Sequence, residues 1–317
     1  MRNISLVILF FLSYSCTSMS QERRDSVINT SDSIFCPKDS IITSRLTLLF
    51  AGDLMQHQAQ INAARTSTGY DYSDCFKFVK EEINRADIAI ANLEVTLGGK
   101  PYRGYPAFSA PDEYLFAIRD AGFDVLITAN NHCLDKGKKG LERTLLMLDS
   151  LQIPHAGTYV NTESREQQYP LLLEKNGFRI ALLNYTYGTN GIKVISPNVV
   201  NYIDKAVMAQ DIEAARAQHP DALIACMHWG DEYQSLPNKE QKNLTNWLLQ
   251  QGVTHIIGSH PHVVQPMELR TDSITGNQHV VVYSLGNFIS NMSARRTDGG
   301  LLFKLELEKD SVTRVAN

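Results

Sequence analysis

Val253-Thr254-His255-Ile256-Ile257-Gly258-Ser259-His260-Pro261-His262 decides the reading of the fold: an apolar run of strand length opens straight into two histidines one residue apart. A strand that ends in a short loop can aim both imidazoles into one pocket, and Pro261 between them limits how far the loop relaxes. Such a pair suits a metal ion, although His-x-His alone also describes an unliganded surface pair. Four other segments follow runs that read as buried strands and end in residue types suited to a cation. They are Gly52-Asp53-Leu54-Met55-Gln56-His57, Asn92-Leu93-Glu94, Asn130-Asn131-His132 and Met227-His228-Trp229-Gly230. Five of the nine histidines fall in these four segments and in Gly258–His262, so the clustering belongs to the strand ends and not to the chain at large.

Outward from these segments, short apolar runs alternate with amphipathic stretches of helical length, the pattern of an α/β protein. The strand candidates are 46–51, 87–91, 123–128, 171–174, 178–184, 222–227 and 253–257. Helices are expected over 75–86, 111–121, 140–151, 205–218 and 239–251, with Leu141, Leu145 and Leu148 marking the clearest apolar face. Two late runs, 278–284 and 301–308, have no helix between them and read as antiparallel. In open α/β sheets ligands bind beyond the carboxyl ends of the strands, where segments distant in sequence meet.

The 317 residues can bury one large core or two modest ones, and no compositional break divides the chain after residue 45. A hydrophobic fraction of 43% and a charged fraction of 20% are ordinary for a globular protein. The net charge is −4 and no basic stripe exceeds pairs such as Arg23-Arg24 and Arg295-Arg296, so nucleic acid is not an expected partner. At the N-terminus Arg2 precedes the apolar run Ile4–Leu12, too short to span a bilayer but right for a secretory signal. Residues 1–16 therefore read as a signal peptide ending in a loose lipobox at Cys16, although Ser13 and Tyr14 depart from the strict form. Residues 17–44, rich in Ser, Asp, Gln and Arg, read as a flexible tether to a domain over 45–317. Export to the cell envelope with a membrane anchor is the expectation. Cys36, Cys75, Cys133 and Cys226 show no Cys-x-x-Cys spacing; one bridge is allowed but not assignable.

An Asp-led first motif, a second carboxylate, an Asn-His, a lone His and a final His-x-His resemble the calcineurin-like metallophosphoesterases. The fuller pattern is similar to the CapA family of capsule and poly-γ-glutamate synthesis proteins. That family's Gly-Asp-x-Met stands at Gly52–Met55, Asn-Leu-Glu at Asn92–Glu94, and Asn-Asn-His-x-x-Asp-x-Gly at Asn130–Gly137. Its His-Trp-Gly-x-Glu stands at His228–Glu232, Gly-x-His-Pro-His at Gly258–His262 and Ser-Leu-Gly-Asn-Phe at Ser284–Phe288. The resemblance runs from about Leu46 to Leu307.

The resemblance implies a four-layer α-β-β-α sandwich of metallo-dependent phosphatase type holding two divalent ions, commonly about 3.5–4 Å apart. By analogy Asp53 and His262 belong to one ion, Asn131, His228 and His260 to the other, and Glu94 bridges them. Mixed O and N ligands suit Mn, Fe or Zn better than Ca, without selecting among them. His132 is then the catalytic residue that protonates the leaving oxygen or steadies developing negative charge. Two departures stand out: Met55, not His, lies two residues after Asp53, and Glu94 replaces an Asp. His57, four after Asp53, is open as a ligand, an outer partner or simply a first-turn residue. Glu232 and Glu268 are candidates to orient the histidines, and Asn287 to hydrogen-bond the site. Asp135 and Gly137 read as shaping the helix start, Trp229 as packing or stacking. Arg103, Arg295 and Arg296 are candidates to hold an anion or are plain surface; His155, His219, His255 and His279 read as structural.

Three functions stay open at this point. One is a metal-dependent hydrolase of phosphoester type, acting on a phosphoester or anionic polymer in capsule metabolism. The second is a non-catalytic polyanion-binding component of an envelope polymer synthesis or export complex. The third is a metal-dependent hydrolase of an amide or γ-peptide bond.

Overall fold

Alternation along each strand dictates which side chains face which layer. The computed structural model describes residues 6–10, 40–273 and 276–313. In chain order the strands are β1 (Leu6–Phe10), β2 (Ser40–Leu54), β3 (Ile88–Leu93), β4 (Val125–Ile127), β5 (His155–Ala156), β6 (Thr158–Tyr159) and β7 (Leu171–Lys175). They continue as β8 (Phe178–Thr186), β9 (Val199–Val200), β10 (Ala222–His228), β11 (His255–Ser259), β12 (Met267–Thr271), β13 (Gln278–Val282), β14 (Asn287–Ile289) and β15 (Gly299–Thr313). The α-helices are α1 (Gln58–Ala63), α2 (Lys80–Ile83), α3 (Asp112–Asp120), α4 (Gly137–Ser150), α5 (Thr162–Gln168), α6 (Lys205–Ala217) and α7 (Lys239–Gln250).

One sheet runs β1-β15-β2-β3-β4-β5 with β14 also on β2; the second runs β12-β13-β11-β10-β8-β7, and β6 pairs with β9 apart from both. At their centres β2-β3-β4-β5 and β8-β10-β11-β13 are parallel. β3 and β10 are buried at every position, as the continuous apolar character of covered parallel strands requires.

Period-two alternation builds three cores from these strands. Leu46, Leu48 and Phe50 of β2 and Ile224 and Cys226 of β10 share the core between the sheets. The intervening Leu49 and Ala51 face α3 and α4, meeting Tyr114, Leu115, Leu141 and Leu145. On the far side Leu223, Ala225 and Met227 meet Met208 and Ile212 of α6 and Leu248 of α7. The order of layers is helix, sheet, sheet, helix, the four-layer sandwich that the resemblance implies.

Two expectations need correction, and a third lies largely outside the described residues. The helix over 75–86 is a 3-10 turn at Ser73–Cys75 and the single turn α2; Phe76 and Ile83 are buried all the same, so their spacing served the core without an intact helix. β15 is antiparallel to β2 as read, but β13 runs parallel to β11 and antiparallel to β12. Of the leader read over 1–16 only Leu6–Phe10 is described, paired in parallel with Gly299–Phe303; Cys16, Cys36 and the tether up to residue 39 lie outside the described residues. Cys133 and Cys226 are buried thiols, and no helix among the described residues is long and apolar enough to cross a membrane.

Candidate metal centre

Six parallel strands from the two sheets end at one seam, and their last residues line it. At the end of β2 the register with β3 shifts between Ala51 and Asp53. Gly52 sits so close to β14's approach that a Cβ there would lie 1.9 Å from the Gly286 carbonyl oxygen. The Asp53 N–H donates to that same oxygen at 3.1 Å, which fixes the carboxylate at the strand end. β3 then delivers Asn92 and Glu94, and the loop after β4 delivers Asn130, Asn131 and His132. From the second sheet β10 brings His228, and the loop after β11 brings His260 and His262.

The histidine loop holds an unfavourable backbone. His260 has φ +102° and His262 φ +59°, in the left-handed half of the map that L side chains rarely adopt. Surrounding bonds hold it there: Leu285 N–H to Gly258 O (2.9 Å), Trp229 N–H to Ser259 O (3.1 Å) and Tyr233 N–H to Pro261 O (2.8 Å). Trp229 is buried and donates its indole N–H to Tyr283 O at 3.0 Å, so it packs and does not present its ring to solvent.

One amide organises the carboxylates. Asn92 Nδ2 donates to Asp53 Oδ1 (2.8 Å) and Glu94 Oε2 (3.1 Å), and lies 3.3 Å from His228 Nδ1. Its own Oδ1 accepts from Asn130 Nδ2 at 3.1 Å. Asp53 Oδ2, Glu94 Oε1 and His260 Nδ1 are buried without a hydrogen bond, Asp53 Oδ2 lying 3.4 Å from His262 Nδ1. Glu94 Oε1 is 3.9 Å from both His228 Nε2 and His262 Nε2, and His228 Nε2 is 2.8 Å from Asn131 Oδ1. Asn287 gives Nδ2 to Thr297 O (3.0 Å), so its Oδ1 accepts from His262 Nδ1 (2.9 Å) and Nε2 of that ring is left toward Glu94.

Burial dominates the electrostatics of these groups. Burial pushes Glu94 well above the usual carboxylate range, and the neighbouring Asp53 adds to it. Burial would raise Asp53 too, but His262, His228 and Asn92 outweigh it and hold that carboxyl low. Burial and then His260 push His228 far down, and burial and His262 push His260 down to about 3. Two carboxylates and the His260 imidazole, each with an unpartnered atom in a buried seam, are a costly arrangement without a positive charge between them. The donor set of Asp53, Glu94, Asn131, His228, His260 and His262 fits divalent metal ions, and Asp53, Glu94 and His262 each bring a donor atom within 4.8 Å of the others.

His132 lies beside this set. Its Nδ1 is 2.8 Å from Asp135 Oδ2, which also accepts the Phe108 N–H at 2.7 Å, and its ring meets Phe108 edge-on at 4.7 Å. Asp135, read as a helix-start residue, is therefore the group that orients His132. Two residues escaped the sequence reading altogether, both from the end of β8, where no motif was noted. Tyr187 lies 4.5 Å from the His260 ring, and Asn190 Oδ1 accepts from Asn131 Nδ2 at 3.2 Å. The available signal was position: in Thr186-Tyr187-Gly188-Thr189-Asn190 polar and aromatic residues follow a buried parallel strand, as at the other ends.

Of the outer candidates, Asn287 and Glu232 are at the site, Glu232 Oε1 standing 4.0 Å from His262 Nε2. His57 caps α1; its Nδ1 accepts the Asn291 N–H at 3.2 Å, which spends one ring nitrogen on the loop after β14. Glu268 is not brought to the histidines: on β12 it holds Arg270 at 2.6 Å, because β12 is the outer edge of the second sheet. Arg103, Arg295 and Arg296 are exposed, Arg296 bonding Ser235 at 2.6 Å.

The sequence profile described as bacterial capsule synthesis protein PGA_cap matches residues 47–292, a span that begins in β2 and takes in every strand end named above. The chain belongs to this family. Two relatives carry the name CapA. The PGA biosynthesis protein CapA of Bacillus subtilis (strain 168) is 29% identical over 279 residues, covering 85% of this chain and 70% of that one. The capsule biosynthesis protein CapA of Bacillus anthracis is 26% identical over 287 residues, covering 86% of this chain and 66% of that one. The solved NAD nucleotidase (NadN) of Haemophilus influenzae aligns over 86% of this chain and 55% of that chain, with a TM-score of 0.48 and 13% identity. Within the PGA_cap match lie Asp53, Glu94, Asn131, His132, His228, His260 and His262, so the candidate centre is built wholly from the family's own segment.

Proposed function

We propose that this PGA_cap protein is a dinuclear metal-dependent hydrolase of phosphoester type, exported and tethered to the cell envelope, that acts on an anionic capsule polymer or its phosphoester precursor. One observation carries the choice of catalysis over binding: His132 is outside the donor set, faces the same seam and is held by Asp135 at 2.8 Å. A structural ion has no use for an oriented, uncoordinated imidazole; a leaving group does. Bound divalent cations would supply a nucleophile from water at neutral pH and neutralise charge on the reacting group. The chain's own residues do the rest. Asp135 keeps the His132 Nδ1–H engaged and leaves Nε2 to transfer a proton, Asn190 fixes the Asn131 amide, and Asn287 fixes His262. The capsule role rests on family membership and the relatives' names, and the export reading on Arg2 with the apolar run Ile4–Leu12.

The test is to load the full chain with Mn, count ions by elemental analysis, and assay bis-p-nitrophenyl phosphate beside a γ-glutamyl anilide. Two ions and phosphodiester turnover that chelator abolishes are expected. His132→Ala should keep both ions and lose about 10²–10⁴-fold in turnover. Equal activity in wild type and His132→Ala would refute the catalytic assignment, and turnover of the anilide alone would move the reading to amide hydrolysis.

A further inference from the structure

His262 fixes where one cation must stand. With Nδ1 engaged by Asn287, the nitrogen left for an ion is Nε2, which lies 3.9 Å from Glu94 Oε1 on its buried side. On its open side Glu232 Oε1 lies 4.0 Å away, and the Glu232 side chain is 42% exposed where that of Glu94 is wholly buried. Two donor atoms each roughly 2.0–2.2 Å from one ion stand about 3–4 Å apart, so both spacings are compatible with ligands of a single cation. A second observation places Glu232 among the site's donors: Glu232, His260 and His262 each bring a donor atom within 4.8 Å of the others.

The chain goes to some length to hold Glu232 there. It stands four residues past the end of β10, after a reversal at Gly230, whose φ is +87° and where a Cβ would meet the Gln241 side chain at 2.6 Å. The next residue, Tyr233, donates its N–H to Pro261 O at 2.8 Å, which ties the Glu232 loop to the peptide between the two histidines.

We propose that Glu232 is a metal ligand supplied from the solvent side to the ion on His262, and that it controls how readily that ion exchanges. The inference rests on the two-ion reading above. Among the donor set it is the carboxylate water can reach, so its detachment is the first step by which the ion leaves, while Asp53 and Glu94 keep their hold from the buried side.

The experiment follows release of Mn from the full chain into excess chelator by electron paramagnetic resonance, with bound Mn counted beforehand. Wild type should release two ions slowly. Glu232→Gln, which keeps the shape and removes the charge, should lose one of the two at least about tenfold faster and bind it at least about tenfold more weakly, with the other unchanged. Glu240→Gln, an exposed carboxylate in the first turn of α7, should behave as wild type. Matching denaturation midpoints of metal-free wild type and Glu232→Gln would exclude a folding defect; a lowered midpoint would overturn the assignment of a purely ligand role. Identical release from Glu232→Gln and wild type overturns the proposal and leaves the two-ion reading standing. A wild-type chain that holds no Mn overturns both.

Discussion

The two sheets bring opposite chemistry to the seam. The first ends in charge and amides, with Asp53, Glu94 and Asn131; the second ends in imidazoles, with His228, His260 and His262. The first half is self-opposed, since Asp53 and Glu94 share one amide of Asn92 and burial with Asp53's charge drives the Glu94 carboxyl upward. In the second half burial pushes His228 and His260 away from protonation, whereas at His262 Asp53 outweighs burial and holds the ring toward it. Neither half alone is a good cation site. Their juxtaposition depends on the core between the sheets, where Leu48, Phe50 and Ile90 meet Ile224, Cys226 and Ile257, so metal affinity and the packing of the sandwich are linked quantities.

The hardest test of this division is Glu94→Ala, which removes a carboxylate within 4 Å of two imidazoles from the opposite sheet. Binding should fall by more than about 100-fold at both ions, because losing a ligand costs more than losing the outer partners whose removal costs about 10–100-fold. Metal content after dialysis checks it. Retention of both ions would mean that each half binds on its own. Next comes Ile224→Ala, wholly buried in the inter-sheet core. It should destabilise the metal-free protein by about 2–5 kcal/mol in denaturant titration. Added Mn should stabilise this variant and wild type equally if the seam survives the cavity; a smaller gain in the variant would show that the seam loosens before the fold fails.

The imidazole half was legible because histidines are rare and these fall at strand ends. Gly258-Ser259-His260-Pro261-His262 and Met227-His228 identify themselves by type and position. The carboxylate half was legible only through motif order, since Asp and Glu are common. What stayed hidden was relational. Asp135 lies three residues after His132, a spacing equally consistent with a helix start, and only the Phe108 N–H converging on the same oxygen shows its orientation. Asn190 and Tyr187 carry no motif, and the parallel placement of β8 beside β10 is what brings them in. Glu268 failed for the complementary reason: proximity in sequence to the histidines says nothing about β12 being a sheet edge.

A smaller effect separates the halves by pH. His255 opens β11, is buried, accepts the Val280 N–H at 3.2 Å, and is pushed by burial, with His279 adding, down to about 4. Its folded pKa lies below the unfolded value near 6.5, so the fold favours the neutral ring. That stability is complete above pH 6.5 and drains as pH falls toward 4, roughly 2–3 kcal/mol by pH 4.5. In metal-free protein, urea titrations at pH 7 and pH 4.5 should show His255→Gln losing less on acidification than wild type by that amount. Equal losses would place the acid sensitivity on other groups.

The smallest effect sharpens the comparison most, because Asn190 comes from the imidazole sheet yet serves the carboxylate sheet. An amide can present either end to a cation, and as a metal ligand Asn131 would present oxygen. Donating its Nδ2 to Asn190 Oδ1 at 3.2 Å settles that choice, leaving Oδ1 at 2.8 Å from His228 Nε2. Asn190 itself sits at φ +50°, a conformation that asparagine tolerates better than most residues. Asn190→Ala should therefore weaken one ion by about tenfold, as loss of an outer-shell partner does, without changing the other. Asn190→Asp should retain more affinity than Asn190→Ala, because it keeps the accepting oxygen. If both variants bind Mn as wild type does, the Asn131 amide is oriented by its own strand end, and the two halves of the site are more independent than the shared bond implies.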